Sequence, residues 1–387
     1  MDTFTLHDEA SYIILKIFLL TMAAFVIDEN ENNGRTGVFD FENGHRFVTP
    51  THVPSRVDFD YLQRSQFLRE EDYRDITVGE YVCWLDRDQT DALINDHNYY
   101  QQTRYRISSE LRDMQIPIKL LHFNFYSDVQ TIERRLLEIL LELQHDVNAD
   151  IIEIPNLYSS LDYRKMIAVA VNWRTGRGIE KPLMGVACKV ADVDLISPML
   201  GEIDGVGLNL SRFSKPLLFK ARESLKNQEK MVYAISAPRH YTSVDRQGTL
   251  GVLINYFGVD IVSNPVLHWK GSRFLMSQLA ISSDDELYNL AMNSRYFAPV
   301  DYSTHTYGYL QEQHGEDHRL SESCTCPICQ HNTIGTILDN YREANANSRA
   351  HQVISYKDEA RKYRNAIHKN EAERYMDSRP FVRRIID

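Results

Sequence analysis

Three cysteines fall within six residues, in Cys324-Thr325-Cys326-Pro327-Ile328-Cys329, a Cys-x-Cys-x-x-Cys cluster. Thiolates this close can converge on one ion, and zinc favours four sulfur or nitrogen ligands in a closed tetrahedron. Three thiolates leave room for a fourth donor. His351 stands 22 residues beyond Cys329, after the helix-like stretch Ile334–Ala344, and one helix and a turn would bring it back over the cysteine loop. His314 and His331 are competing donors, His331 so near the loop that reaching the ion would strain it. Four protein ligands leave no position for water, so the expected Zn2+ is structural rather than catalytic. Cys83 and Cys188 lie in apolar, strand-like runs and read as buried thiols. Five cysteines, three of them so tightly grouped, exclude an even disulfide framework and point to a reducing, cytoplasmic setting.

The elements that must position such a site alternate along the chain. Short β-rich runs occur at Phe47–Val53, Ile76–Trp84, Ile118–Asn124, Asp150–Asn156, Pro182–Cys188, Gly205–Leu210, Met231–Ser236 and Val259–Ser263. Amphipathic stretches separate them. The clearest is Val129–Leu143, where Ile132, Leu136, Leu137, Ile139, Leu140 and Leu143 form one apolar face and Asp128 is the expected N-cap. Eight buried strands alternating with helices favour a parallel sheet closed into a (β/α)8 TIM-like barrel, a doubly wound open sheet being the alternative. A functional site is then expected where strands end and loops begin. The residues there are His122, Asn124, Asn156, Cys188, Asn209, Ser236 and the segment Asp260–Asn264. Few of them are charged. His122 could act as a general base, although a lone histidine in an apolar strand is more often a satisfied core residue.

Length and charge set the outer bounds. A chain of 387 residues with 43% hydrophobic content can bury a large core, and an α/β barrel of this size forms one unit. The net charge of -11 argues against a surface that coats nucleic acid everywhere. From Tyr341 onward, however, eleven Lys/Arg face seven Asp/Glu. Lys357, Arg361, Lys362, Arg364, Arg383 and Arg384 in this segment are candidate phosphate contacts, the plainer alternative being a solvated helix surface. The apolar run from Tyr12 to Ile27 is interrupted by Lys16, is short for a bilayer span and lacks a basic leader. No membrane segment is expected. Met22 is an alternative start, so the expected division is an extension at 1–22, a barrel at 23–310 and a zinc-binding helical C-terminal subdomain at 311–387.

The Cys-x-Cys-x-x-Cys cluster followed by a helix and a histidine resembles the zinc signature of the tRNA-guanine transglycosylase superfamily. Gly34-Arg35-Thr36-Gly37-Val38-Phe39 and Val48-Thr49-Pro50-Thr51-His52-Val53-Pro54 resemble that family's opening strands. Met231–Pro238 and Gly258-Val259-Asp260 resemble its last two barrel strands, and Tyr356–Ile367 its C-terminal helix. The resemblance implies exchange of a guanine in nucleic acid for a 7-deazaguanine, one aspartate attacking the ribose and a second serving as acid/base. The substrate polymer would be tRNA or, as in related phage and genomic-island proteins, DNA, whose base must leave the stack.

The chain departs from the family at the reacting positions. Of the aspartate pair after the eighth strand, the first is kept as Asp260 and the second, the nucleophile, is Ser263. Asp260 is therefore a candidate catalytic carboxylate, against the alternative that it holds local structure. By strand count, His122 and Asn124 take the place of the acid/base loop, while Asp96, in a local match to that loop, reads as a surface carboxylate. The base-recognition positions become Asn156, Cys188 and Asn209. Two functions follow as expectations: a base-exchange enzyme, or a non-catalytic nucleic-acid-binding subunit paired, as a homodimer or heterodimer, with a catalytic homologue. A redirected enzyme using His122 or Asp260 is a third.

Overall fold

Pro50 makes the first division of the chain. Lacking an N–H, it cannot continue a ladder, and the expected strand Phe47–Val53 is split there between two sheets. The computed structural model describes residues 24–31, 34–41, 43–160, 162–212, 214–225, 228–238, 253–254, 257–264 and 283–379. The expected extension at 1–22 and the Arg383-Arg384 pair lie outside the described residues. Strands β1 (Ala24–Glu31), β2 (Gly34–Asp40) and β3 (Arg46–Thr49) form an antiparallel sheet in that order. Immediately beyond Pro50, β4 (Thr51–Val53) enters a parallel one.

The expected runs reappear as β5 (Val78–Leu85), β6 (Ile118–Phe125), β7 (Ile152–Ile154), β8 (Leu183–Ala187), β9 (Gly205–Asn209), β10 (Met231–Ile235) and β11 (Ile261–Ser263). The fold is mixed α/β. Its main sheet has six parallel strands in the order β4-β11-β10-β9-β8-β7, and β5 and β6 form a parallel pair. Isolated parallel bridges connect the edges: Ser55 with Glu80, and Leu120 with Ile151. At these seams the Glu80 N–H donates to the Pro54 carbonyl at 3.0 Å and the Asp150 N–H to the Lys119 carbonyl at 2.9 Å. Val53, Val78, Ile118, Leu120, Met184, Val186, Met231 and Ile261, drawn from both parallel sheets, share one apolar cluster with Phe25, Phe39 and Phe47 of the antiparallel sheet.

The helix expected at Val129–Leu143 forms at Arg134–Asp146. Its buried face is Leu136, Leu137, Leu140, Leu141 and Leu143, each worth about 1.5–3 kcal/mol of burial. Asp128 is not its N-cap. Glu133 occupies that position without a side-chain cap, and the Asp128 carboxylate instead accepts from the Arg87 N–H at 3.3 Å. Asp96 caps the helix His97–Asp113, accepting from the N–H groups of Asn98 and Tyr99 at 2.8 and 3.3 Å.

Beyond the parallel strands, a hairpin of β12 (Arg295–Ala298) and β13 (Ser303–Thr306), which the sequence pattern did not reveal, precedes the cysteine loop. The helix Tyr341–His368 then runs back against β12, β4 and the antiparallel sheet. Gly34 permits its close approach, since a Cβ there would lie 1.8 Å from Tyr363 Oη. Among the described residues, no helix is long and apolar enough to cross a membrane.

Candidate functional site

The buried ionisable side chains among the described residues include two clusters that join several elements. The first is built from short-range sequence. Cys324 follows the turn Leu320–Glu322, Cys326 precedes the helix Pro327–Gln330, and Cys329 lies within it, its N–H donating to the Cys326 carbonyl at 3.0 Å. His351 comes from the long helix Tyr341–His368. All four residues are buried, and their ligand atoms lie within 4.8 Å of one another. The Nδ1 of His351 stands 3.9, 3.3 and 3.3 Å from the sulfurs of Cys324, Cys326 and Cys329. A tetrahedral ion with ligand bonds of 2.0–2.3 Å sets its ligands about 3.5 Å apart, so the donor set fits a metal ion.

The imidazole is oriented from the other side. Its Nε2–H donates to the Phe297 carbonyl at 2.7 Å, which leaves Nδ1 to face the sulfurs. The Tyr296 ring stacks on it at 4.6 Å with planes 5° apart, and the Tyr296 hydroxyl reaches Cys329 Sγ at 3.7 Å. Both residues belong to β12, so the hairpin missed in sequence supports the histidine found there. His314 stacks on His318 at 4.6 Å and takes no part in the cluster, nor does His331, the residue closing the Pro327–Gln330 helix.

The second cluster is assembled from strands far apart in sequence. His122 on β6 is 2% exposed. Its Nδ1 lies 2.5 Å from Glu153 Oε2 on β7, and its Nε2 lies 3.0 Å from Asn124 Oδ1, two residues on along the same strand face. Glu80 on β5, wholly buried, accepts a hydrogen bond from the hydroxyl of Tyr233 on β10, with Ser263 of β11 beside them. Burial pushes the Glu80 carboxyl up to about 7, against the opposing pull of Tyr233 and His122. Burial alone would lower the His122 pKa, yet the charge and hydrogen bond of Glu153, with Glu80 behind, raise it above its ordinary value. The Oε1 atoms of both Glu80 and Glu153 are buried with no hydrogen-bond partner among the described residues. Such groups are costly to bury unpaired.

Glu80, Glu153 and Tyr233 were not singled out in sequence. A signal was present for the carboxylates: each is the lone charge in an apolar run, Val78-Gly79-Glu80-Tyr81-Val82 and Ile151-Ile152-Glu153-Ile154. A carboxylate there requires a partner.

The remaining candidates are distributed as follows. Asp260 is not with His122. It precedes β11, at the N-terminal ends of the parallel strands, fully buried and doubly bonded by the Arg35 guanidinium, with Nε at 3.0 Å from Oδ1 and Nη2 on Oδ2. The Val232 N–H adds a bond at 2.7 Å and Thr49 Oγ1 a longer one at 3.5 Å. Asn156 donates to the Val186 carbonyl and to Asp192, both at 2.9 Å, while its Oδ1 accepts from the Leu157 N–H at 2.8 Å. The Cys188 thiol, pushed well up by burial, lies 3.7 Å from the Asn156 carbonyl. Asn209 Oδ1 accepts from the Ser211 N–H and hydroxyl at 3.1 and 2.7 Å. Ser263 Oγ accepts from the Ser236 N–H at 3.2 Å.

The basic residues of the long helix are also engaged. Lys357 pairs with Asp75 at 2.6 Å, Arg361 with Asp358 at 3.1 Å and Lys362 with Glu359 at 2.7 Å, while Arg364 donates to the Pro50 carbonyl at 2.5 Å. Comparison with protein-family models finds no match for this chain, and none of the curated proteins matches it.

Proposed function

We propose that β4 to β11 close into a (β/α)8 barrel, that the Cys324–Cys326–Cys329–His351 cluster holds a structural Zn2+, and that the protein is a base-exchange enzyme of the tRNA-guanine transglycosylase type. Closure is supported by the two parallel seams and by the Glu80–Tyr233 bond, which spans from the two-stranded sheet to the middle of the six-stranded one. Three thiolates and one imidazole, with no remaining ligand position, suit zinc better than the harder divalent ions.

One observation carries the family reading. Three segments chosen for their likeness to that family, around Arg35, Thr49 and Asp260, are up to 225 residues apart and converge on a single buried carboxylate. The same convergence favours a structural part for Asp260, whose carboxylate accepts from Arg35 and the Val232 N–H at the end of the strands away from the expected site. Reaction then belongs to the C-terminal ends, where Asn124 stands near the end of β6 with His122 two residues before it.

The accessory-subunit reading draws support from a different observation. Asn156, Cys188 and Asn209, the positions that would read a guanine edge, direct their polar atoms to the protein itself. Incorporation of labelled guanine into tRNA and into duplex DNA separates the two. Label entering one polymer identifies an exchange enzyme and its substrate. Zinc-loaded protein that binds nucleic acid yet transfers no label in either is an accessory subunit.

A further inference from the structure

We propose that His122, held by Glu153, is an acid–base group that delivers a proton toward the C-terminal ends of the parallel strands, with Glu153 as its positioning residue. The inference deepens the base-exchange reading and rests on it for the ligand class, a nitrogen heterocycle whose ring nitrogen gains or loses a proton.

The geometry is a directed chain. Glu153 Oε2 fixes Nδ1 at 2.5 Å, which orients the ring and leaves Nε2 pointing along β6 toward Asn124, the penultimate residue of the strand. An imidazolium donates to both the Glu153 carboxylate and Asn124 Oδ1. A neutral ring with its proton on Nδ1 would require Asn124 to turn its amide and present the NH2 instead. The groups facing the ring therefore accommodate an imidazolium that can give up one proton at Nε2.

The charges around it agree. Glu153 on β7 and Glu80 on β5 face the histidine, and Glu80 is in turn bonded to Tyr233 on β10, with Asp58 acting on it from farther away. With Glu80 protonated, an imidazolium and the Glu153 carboxylate form a neutral set. Among the described residues, Glu80 Oε1 and Glu153 Oε1 have no hydrogen-bond partner.

Each exchange moves a proton off Nε2 and back again. The Nε2–H bond of the imidazolium breaks as an N–H bond forms on the departing heterocycle, whose ring nitrogen takes the electron pair of its breaking bond to the ribose anomeric carbon, and the neutral imidazole keeps Nδ1–H on Glu153. The ring nitrogen of the incoming heterocycle then bonds that cationic carbon and gives its N–H proton to Nε2, which restores the imidazolium. No external acid or oxidant is needed for this step.

The test uses the full-length protein labelled with 15N at histidine ring nitrogens. Wild-type His122 is expected to remain an imidazolium at pH 7 and to change its Nε2 resonance when guanine is added. Glu153→Gln is expected to lower the His122 pKa by at least about one unit and to shift the acid limb of the exchange-rate profile by the same amount. Asn124→Ala leaves the ion pair in place and serves if Glu153→Gln does not fold; its Nε2 is expected to respond more strongly to guanine. A His122 that is neutral at pH 7 would overturn the proposal. So would an imidazolium indifferent to guanine and to guanine-bearing tRNA and DNA, which would make it a structural ion pair. A guanine response without label transfer into either polymer would sink base exchange alone and leave the acid–base assignment standing.

Discussion

The Cys324–Cys326–Cys329–His351 cluster and the Glu80–His122–Glu153 cluster both bury ionisable groups, but they are finished to different degrees. In the first, one histidine nitrogen faces three sulfurs and the other is tied to the Phe297 carbonyl, so the donor set closes on itself. In the second, a chain of hydrogen bonds runs toward the strand ends, and two carboxylate oxygens have no partner among the described residues. Completeness marks a site that holds structure. Unspent hydrogen-bonding capacity in a buried place leaves room for a further partner. The Arg35–Asp260 pair belongs with the first kind, since Asp260 accepts from Arg35 twice and from the Val232 N–H.

The contrast is most easily broken at the metal cluster. Cys326→Ser or His351→Ala is expected to abolish stoichiometric zinc, measured by elemental analysis, and to lower Tm by at least about 10 °C. A variant that kept its Tm without metal would show that packing alone holds this region. Next in size is Arg35→Ala, which strands Asp260 as an unpaired buried charge and is expected to cost about 3–5 kcal/mol in denaturant unfolding. Arg35→Met combined with Asp260→Leu should recover most of that loss. Neither change should move the His122 resonance.

The open cluster is better probed by pH. Glu80 titrates at about 7 instead of 4.5, so the native state keeps a proton that the unfolded chain releases. Its contribution is full below about 4.5 and is lost as pH rises through about 7. His52, lowered by burial from 6.5 to about 4, works in the opposite sense. Its contribution is present above 6.5 and is lost as pH falls toward 4. The two offset each other in the wild type. Glu80→Gln should uncover a stability that rises with pH across the His52 window, and should stabilise the protein at pH 8 by up to about 3 kcal/mol. An unchanged pH profile would remove Glu80 from the set of raised carboxyls. The smallest effect is expected for Asn124→Ala, about 1 kcal/mol of stability, because it removes one neutral partner and leaves the His122–Glu153 pair.

Much of the framework could be read from the residues. Each of the eight strand-like runs overlaps a strand of the parallel sheets, because β-rich apolar runs with intervening amphipathic stretches leave few alternatives. The run at Phe47–Val53 was read as one strand because its apolar pattern continues across Pro50; pairing, not pattern, divides it. The helix at Val129–Leu143 began five residues late, since apolar spacing persists through residues that the chain leaves uncapped. The hairpin Arg295–Ala298 with Ser303–Thr306 had no hairpin-turn signature strong enough to register beside the cysteines.

What the sequence determined by itself was the cysteine–histidine cluster that could hold a metal and the identity of the strands. Both depend on short spacings: three cysteines within six residues and apolar runs of a few residues each. Only the tertiary structure decided which ionisable groups meet. Glu80, His122, Glu153 and Tyr233 lie on four different strands, and which of them meet depends on strand order and register rather than on distance along the chain. The same holds for Arg35 and Asp260, 225 residues apart, whose buried pairing no spacing along the chain announces. A carboxylate's chemistry is set by its neighbours in space, through burial, opposite charge and hydrogen bonds, and those neighbours were fixed by strand register.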